Sequence, residues 1–302
     1  WICCDDVLRY GIGLIGICQA LMHTAHRLGC CDRNAMGAWA YNEVMARGRH
    51  AACVLVLAAT LGGAGGAQGE QLNVYVGQGQ MPFADGTAKR AGLFGELMHE
   101  LCTRTAQQCV FRSVPWRRVL SEAEGDPHGI VLNLGRTPDR EAGFVWLLDV
   151  LPTPYVLVSL DRTFDTLGDA LQAGPVAVMA GTPRADEIKR IRSGDQRVVE
   201  VTDPQQAAEL LRSGRVVAWY EIDLRALYLW HELDAQAPLR LGKPLSNTRS
   251  HIAGSLKLEG ASRLSRQMSA AFADMRRDGS WQRILASYLG LDRSRALLSD
   301  GW

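Results

Sequence analysis

The chain has 302 residues, 22% of them charged and 47% hydrophobic, with 33 Lys and Arg against 32 Asp and Glu. A net charge of +1 lacks the basic excess that nucleic acid or an anionic membrane attracts, so no nucleic-acid partner is expected. No stretch approaches the roughly 18–20 consecutive apolar residues needed to span a bilayer.

Taken from the start, segment 1–44 reads as upstream sequence foreign to the folded protein. Its "WICC", "GIGLIGIC" and "GCCD" hold five cysteines without metal-ligand spacing. Met45 then opens the basic "MARGRH", followed by the apolar "AACVLVLAATL" and the small-residue "GGAGGAQG". A charged start, a short apolar core and a small-residue exit make a secretory signal peptide, expected over 45–67 with cleavage after Ala67. Export changes the meaning of the cysteines. Only Cys102 and Cys109 lie beyond the signal, and an oxidising compartment favours their pairing. His99 stands three residues before Cys102, but no fourth ligand is near and no metal is expected.

The next segments alternate. "LNVYVG" places Leu72, Val74 and Val76 on one face and predicts a strand. "GLFGELMHELCTRTA" carries Leu93, Phe94, Leu97, Met98 and Leu101 at helical spacing. "CVFRSV" predicts a strand, "WRRVLSEAEG" a helix, "GIVLNL" a strand, and a helix from Thr137 leads to the extended "YVLVSL". The pattern then restarts: "DTLGDALQAG", "TPRADEIKRIRSG" and "DPQQAAELLRSG" are helical, while "PVAVMAG", "RVVEV" and "RVVAWY" are strands. "HIAGSLK" adds a strand, and "SRLSRQMSAAFADMRRDGSWQRILASYLG" two helices broken at Gly279. Strands alternating with helices imply α/β units on a mostly parallel sheet, here twice. Two lobes follow, the first from 70–160 plus 249–302 and the second from 161–248.

Thr137-Pro138 and Thr182-Pro183 each come after a predicted strand. Thr suits the N-cap, and Pro the first helical position, where its missing N–H removes no bond. Each pair therefore predicts a helix N-terminus, with free N–H groups, at the carboxyl end of a strand. Ligands of open α/β sheets bind at such ends, and two caps facing across a cleft can take an anion. Asp203-Pro204 is a third cap, to which no function is given.

In the order and spacing of several segments the chain resembles the family 3 extracellular solute-binding proteins, the periplasmic amino-acid-binding components of ABC importers. The segments are "MPF", "GLFGEL", "NLGRTPDREAGFVW", "VAVMAGTP", "LLRSGRVVAWY" and "FADMRRDGSWQRILASYLG", and the resemblance runs from about Leu72 to Leu289. It implies an α/β, two-lobed periplasmic-binding-protein-like clamshell of type II, each lobe a mostly parallel sheet flanked by helices. It also implies a monomer in the periplasm that closes on a small amino acid or carboxylate, delivers it to an inner-membrane ABC permease and uses no cofactor.

The resemblance places the family's carboxylate-clamp arginine on Arg140, where a guanidinium gives two parallel hydrogen bonds to a carboxylate. Arg136 is a weaker candidate. Small polar contacts fall on Asn133 and Gly135, the second-lobe threonine on Thr182, and an apolar contact on Trp116. Two departures stand out. The aromatic that precedes Pro-Phe in the family is Gln80, ahead of Phe83. The acidic residue that holds the ligand ammonium falls on Ile222, flanked by Glu221 and Asp223, of which Glu221 is the expected contact. An enzyme of the same fold, a dehydratase acting on prephenate- or arogenate-like acids, is the alternative, with Glu96, Glu221 and Asp223 as available acids. A stand-alone sensor for a membrane receptor is the third reading. No G-x-S-x-G or H-E-x-x-H motif is found, and His99, His128, His231 and His251 are scattered.

Overall fold

The computed structural model describes residues 71–87 and 89–299; segment 1–44 and the expected signal peptide and cleavage site lie outside them. The expected start is found as β1 (Gln71–Gly77), α1 (Leu93–Arg104), β2 (Gln108–Val114), α2 (Trp116–Gly125) and β3 (Gly129–Gly135). Helix α1 buries Leu93, Phe94, Leu97, Met98 and Leu101, the stripe its spacing predicts. It carries Glu96 in its first turn and Arg104 in its last, both favourable to the helix dipole.

After β3 the chain departs from expectation. The helix expected from Thr137 is a single 3-10 turn, Pro138–Arg140, and the Thr137 side chain caps nothing. Val145–Pro152 forms β4, a strand that the sequence reading did not assign. Its "VWLLDVLP" is a near-continuous apolar run, which periodicity cannot tell from a buried helix. Antiparallel pairing with a strand a hundred residues later decides it, for example Asp149 opposite His251.

The second half contains β5 (Tyr155–Ser159), α3 (Leu167–Ala173), β6 (Val176–Met179), α4 (Pro183–Ile191), β7 (Val198–Val201), α5 (Pro204–Arg212) and β8 (Ala218–Ile222). An unexpected helix, α6 (Asp223–Glu232), follows β8 without a break, and β9 (Arg240–Leu241) is short. The return is β10 (Arg249–Gly254), α7 (Ala261–Arg277), α8 (Ser280–Leu289) and the further helix α9 (Leu291–Ser299). Helices α7 and α8 part at Gly279, whose φ of 76° lies in the left-handed region that favours glycine.

Among the described residues ten strands make two sheets, ordered β2-β1-β3-β10-β4 and β7-β6-β8-β5-β9. In each, the first three run parallel and the fourth runs against them. That fourth strand comes straight from the other lobe, so the chain crosses between lobes twice. The crossings lie side by side: Thr153 N donates to Thr248 O at 2.8 Å, and Tyr155 N to Ser246 Oγ at 3.1 Å. Strand β5 pairs with β8 and β9, so the first sheet ends near Thr153 rather than at residue 160.

One apolar cluster runs under both sheets, from Leu72, Phe83 and Phe94 in the first lobe to Tyr220 and Leu224 in the second. A second cluster around Trp219 and Trp230 fills the far side of the second sheet. Cys102 on α1 and Cys109 on β2 are joined by a disulfide across the α1–β2 turn, with Cα atoms 6.2 Å apart. His99 stacks on Phe111 at 3.9 Å between ring centroids. Among the described residues no group of three His, Cys, Asp or Glu side chains is arranged to hold a metal ion.

Candidate functional site

The carboxyl ends of the parallel strands of both sheets point at one cleft. Parallel strands joined by crossover helices leave a crevice at these ends, where neighbouring connections go to opposite faces. From the first lobe, Gln80 follows β1, Trp116 follows β2, and Asn133 and Gly135 end β3. Asn133 has a φ of 54°, a left-handed conformation that Asn tolerates better than branched residues. It sits where β3 and β10 slip register: Leu134 faces His251 and Val131 faces Ala253, so two residues oppose one. Such bulges re-aim a side chain. The buried Oδ1 of Asn133 has no hydrogen-bond partner, an acceptor held in the cleft wall. A Cβ on Gly135 would come within 3.1 Å of the Thr248 side chain and 3.3 Å of the Tyr155 hydroxyl, so glycine keeps the wall open there.

Arg140 closes the 3-10 turn and reaches back into the cleft, where its Nη1 donates to Gly135 O at 3.3 Å. Burial lowers its pKa, Tyr155 acts the other way, and nearby Arg184 adds to the lowering. A guanidinium stays charged through shifts of this kind. Among the described residues no carboxylate lies within ion-pair distance of Arg140. Asp139 and Asp186 attract it from solvent-exposed positions.

The second lobe contributes two more arginines. Thr182 caps α4: its hydroxyl accepts from Ala185 N at 3.3 Å and donates to Met179 O at 2.7 Å. Arg184 is the second residue of that helix, the end where the dipole disfavours a cation. It is held by Glu221, 2.7 Å away, and lies over the Tyr155 ring at 4.8 Å. Arg225, in the first turn of α6, reaches the same Glu221 oxygen at 3.5 Å. Arg184, Arg225 and Glu221 are 3%, 2% and 0% exposed, so water does not share in neutralising them. Burial and Arg184 both lower the pKa of Arg225, against the pull of Glu221. The Nε atoms of both arginines and the other Glu221 oxygen are buried without partners.

The lobes meet across this cleft. Arg225 Nη2 donates to Gln80 Oε1 at 3.0 Å, and its guanidinium lies 5.1 Å above the Phe83 ring. The cavity between them is about 30 Å³, far below the roughly 300–1,000 Å³ of a small-molecule pocket. A solute the size of an amino acid therefore requires the lobes to part.

A histidine kinase sensor domain described as similar to periplasmic binding proteins superposes with a TM-score of 0.63 at 18% identity, over 74% of this chain and 97% of its own. A putative L-cystine ABC transporter protein from Listeria monocytogenes gives 0.62 at 20%, over 74% and 97%. An ancestral arginine-binding protein bound to arginine gives 0.61 at 19%, over 73% and 98%. The fold is the type II periplasmic-binding-protein clamshell. No protein-family model and no curated protein sequence matches the chain.

Within the clamshell, the cleft lining brings together Arg140, Trp116, Thr182, Asn133, Gly135 and Gln80, all anticipated from sequence. Two anticipated contacts lie elsewhere. Phe83 is wholly buried, edge-on to Phe94 at 6.3 Å, and supports Arg225 from below. Glu221 is behind the arginines, because neighbouring strand residues face opposite ways and Ile222 takes the cleft side. Arg136 is exposed, pairs with Glu141 through two nitrogens and lies 5.2 Å from the Trp146 ring.

The other acids are also occupied outside the cleft. Glu96 accepts from the Tyr288 hydroxyl and lies 3.4 Å from Arg90. Asp223 accepts from Arg293 at 2.7 Å. Burial raises the Asp223 pKa despite that partner.

Arg184, Arg225, Tyr155, Thr153 and Ser250 also line the cleft, and sequence reasoning passed over them. Two carried a signal. Arg184 puts a cation in the first turn of a helix, and Arg225 stands four residues after the acid Glu221. Both patterns mark a charge with a specific partner. Tyr155, Thr153 and Ser250 had none, since they enter the site only where the chain crosses between lobes.

Proposed function

We propose that this chain is a solute-binding protein whose lobes close on a small carboxylate-bearing ligand, an amino acid or related organic anion. One observation carries the proposal: an inter-lobe cleft, too small for any macromolecule, into which Arg140 projects without a carboxylate partner. Guanidinium matches carboxylate in two parallel hydrogen bonds, so a free one in a shielded cleft is suited to capture. Arg140, Asn133, Gly135, Gln80 and Trp116 act from the first lobe and Thr182 from the second, while Glu221 serves indirectly by fixing Arg184 and Arg225. Closure is a hinge motion about the paired crossings near Thr153 and Thr248, driven by contacts made only when the lobes meet.

The neighbours that bind arginine or belong to ABC transporters support delivery to an inner-membrane permease. The signal-like segment 45–67 and the Cys102–Cys109 bridge support a periplasmic protein, here read as a monomer. The likeness to a histidine kinase sensor domain favours a second reading, a sensor docking on a membrane receptor. Engagement of Glu96, Glu221 and Asp223 by arginines favours binding over dehydratase chemistry, which needs a carboxyl able to donate a proton to a bound substrate.

A thermal-shift screen of the purified protein against amino acids, carboxylates, polyamines and prephenate tests the reading. A ligand at a hundred times its dissociation constant stabilises by about 2.7 kcal/mol, which a melting curve resolves. Turnover of prephenate would move the assignment to the enzyme. A screen in which nothing shifts the melting temperature would remove the solute-binding reading.

A further inference from the structure

Charge in the cleft is unbalanced, one lobe at a time. In the first lobe Arg140 has no ion-pair partner among the described residues, an excess of one positive charge. In the second lobe Arg184 and Arg225 share the single carboxylate of Glu221, at 2.7 and 3.5 Å, again an excess of one. The two excesses face each other across a cavity of about 30 Å³. Asp139 and Asp186 reach Arg140 only from exposed positions, where solvent screens them.

What a zwitterion would need is absent from the lining. Ile222 occupies the place facing the cleft where an acid would hold an ammonium, and Glu221 is sealed behind two guanidiniums. Asp223 is turned to Arg293. Asn133 Oδ1, an unpartnered acceptor in the lining, is neutral and suits a hydroxyl or amide N–H. The Nε–H groups of Arg184 and Arg225 are donors without acceptors, nearly excluded from water. An unmatched buried donor is disfavoured, and Glu221 Oε2 is unmatched beside them, so this one carboxylate does not saturate the two guanidiniums.

We propose that the natural ligand is a small dianion with two separated carboxylates and no ammonium group, one end held by Arg140 and the other by Arg184 and Arg225. This rests on the solute-binding reading above and narrows it. Each carboxylate neutralises the excess of one lobe, so a ligand bridging both removes the repulsion between them. Monocarboxylates leave one excess uncompensated, and neutral amino acids bring a cation to a positive wall. Arg184 and Arg225 then set specificity, through differential affinity for a second negative charge.

The test is calorimetry and thermal shift on the full chain at pH 7.5 with succinate, glutarate, butyrate, L-glutamine and inorganic phosphate. Succinate or glutarate is expected to bind at least about tenfold more tightly than butyrate, the effect of one charge-assisted hydrogen bond. Arg184→Gln is expected to erase that preference, bringing the diacid affinities down to that of butyrate. If the variant does not fold, the five ligands on the unaltered protein still decide. L-Glutamine binding above both diacids would overturn the dianion and leave the solute-binding reading standing. Phosphate binding without either diacid would overturn the two-ended ligand. Silence from these five alone overturns the dianion, and silence from the wider screen above overturns both.

Discussion

Glu221 and Arg184 lie 2.7 Å apart beneath the cleft, one wholly buried and the other nearly so. Glu221 is the sole carboxylate within ion-pair distance of Arg184 and Arg225 among the described residues, so its removal leaves two buried cations to repel each other. Glu221→Gln is therefore expected to destabilise the fold by about 3–5 kcal/mol, as breaking a buried pair does. Urea unfolding of both proteins measures this, and a loss under about 1 kcal/mol would show that the pair is not structural.

Arg140 differs, because its guanidinium lines the cleft and is not packed in the core. Arg140→Ala is expected to leave the ligand-free melting temperature within a few degrees and to weaken carboxylate binding by about 2–3 kcal/mol. Unchanged affinity by calorimetry would remove Arg140 from the site.

Gly77 supports Trp116. A Cβ there would stand 2.8 Å from the indole Cε3 and 3.0 Å from Gln80 Cγ. Gly77→Ala should displace both cleft-lining side chains, shift Trp116 fluorescence and weaken ligand binding. Identical emission and affinity in the variant would show that the wall tolerates the methyl group.

The Cys102–Cys109 bridge closes a short loop, with a sequence separation of 7. The chain-entropy relation gives about 2–3 kcal/mol for a loop of this size. The Cys102→Ser, Cys109→Ser protein should be less stable in urea by that order. Free thiols titrating in protein produced in an oxidising compartment would contradict the bridge itself.

His251 provides a pH test. Burial lowers its pKa below the usual 6.5, and Asp149, 4.0 Å away, opposes this without prevailing. A lowered folded pKa means the unfolded chain takes up the proton first. Stability from this group is therefore complete above about pH 6.5 and lost as pH falls through the folded value. Melting temperatures from pH 8 to 5 should fall less steeply for His251→Gln than for the native protein. Parallel curves would assign the acid loss to other groups.

Where a residue's partner is close in sequence, or its pattern repeats, the sequence was readable. The alternation in "LNVYVG", the helical stripe from Leu93 to Leu101 and the Thr182-Pro183 and Asp203-Pro204 caps all became the elements they predicted. Thr137-Pro138 carried the same local signal, yet it starts only a 3-10 turn, because the chain must re-enter the sheet as β4. The strand left unassigned at "VWLLDVLP" has the same origin: an apolar run becomes a strand when a partner strand is present, and that partner is Arg249–Gly254.

Sequence by itself determined two α/β lobes, a cysteine pair beyond an export-like segment and an arginine at a strand's carboxyl end, since short-range sterics and periodic burial suffice for these. Tertiary structure alone decided which charges meet. Ion pairing depends on distance in space and on exclusion of water, and neither is written at any fixed spacing. Folding set Glu221 behind Ile222, brought Arg184 and Arg225 to it from two helices, and left Arg140 facing them across the cleft.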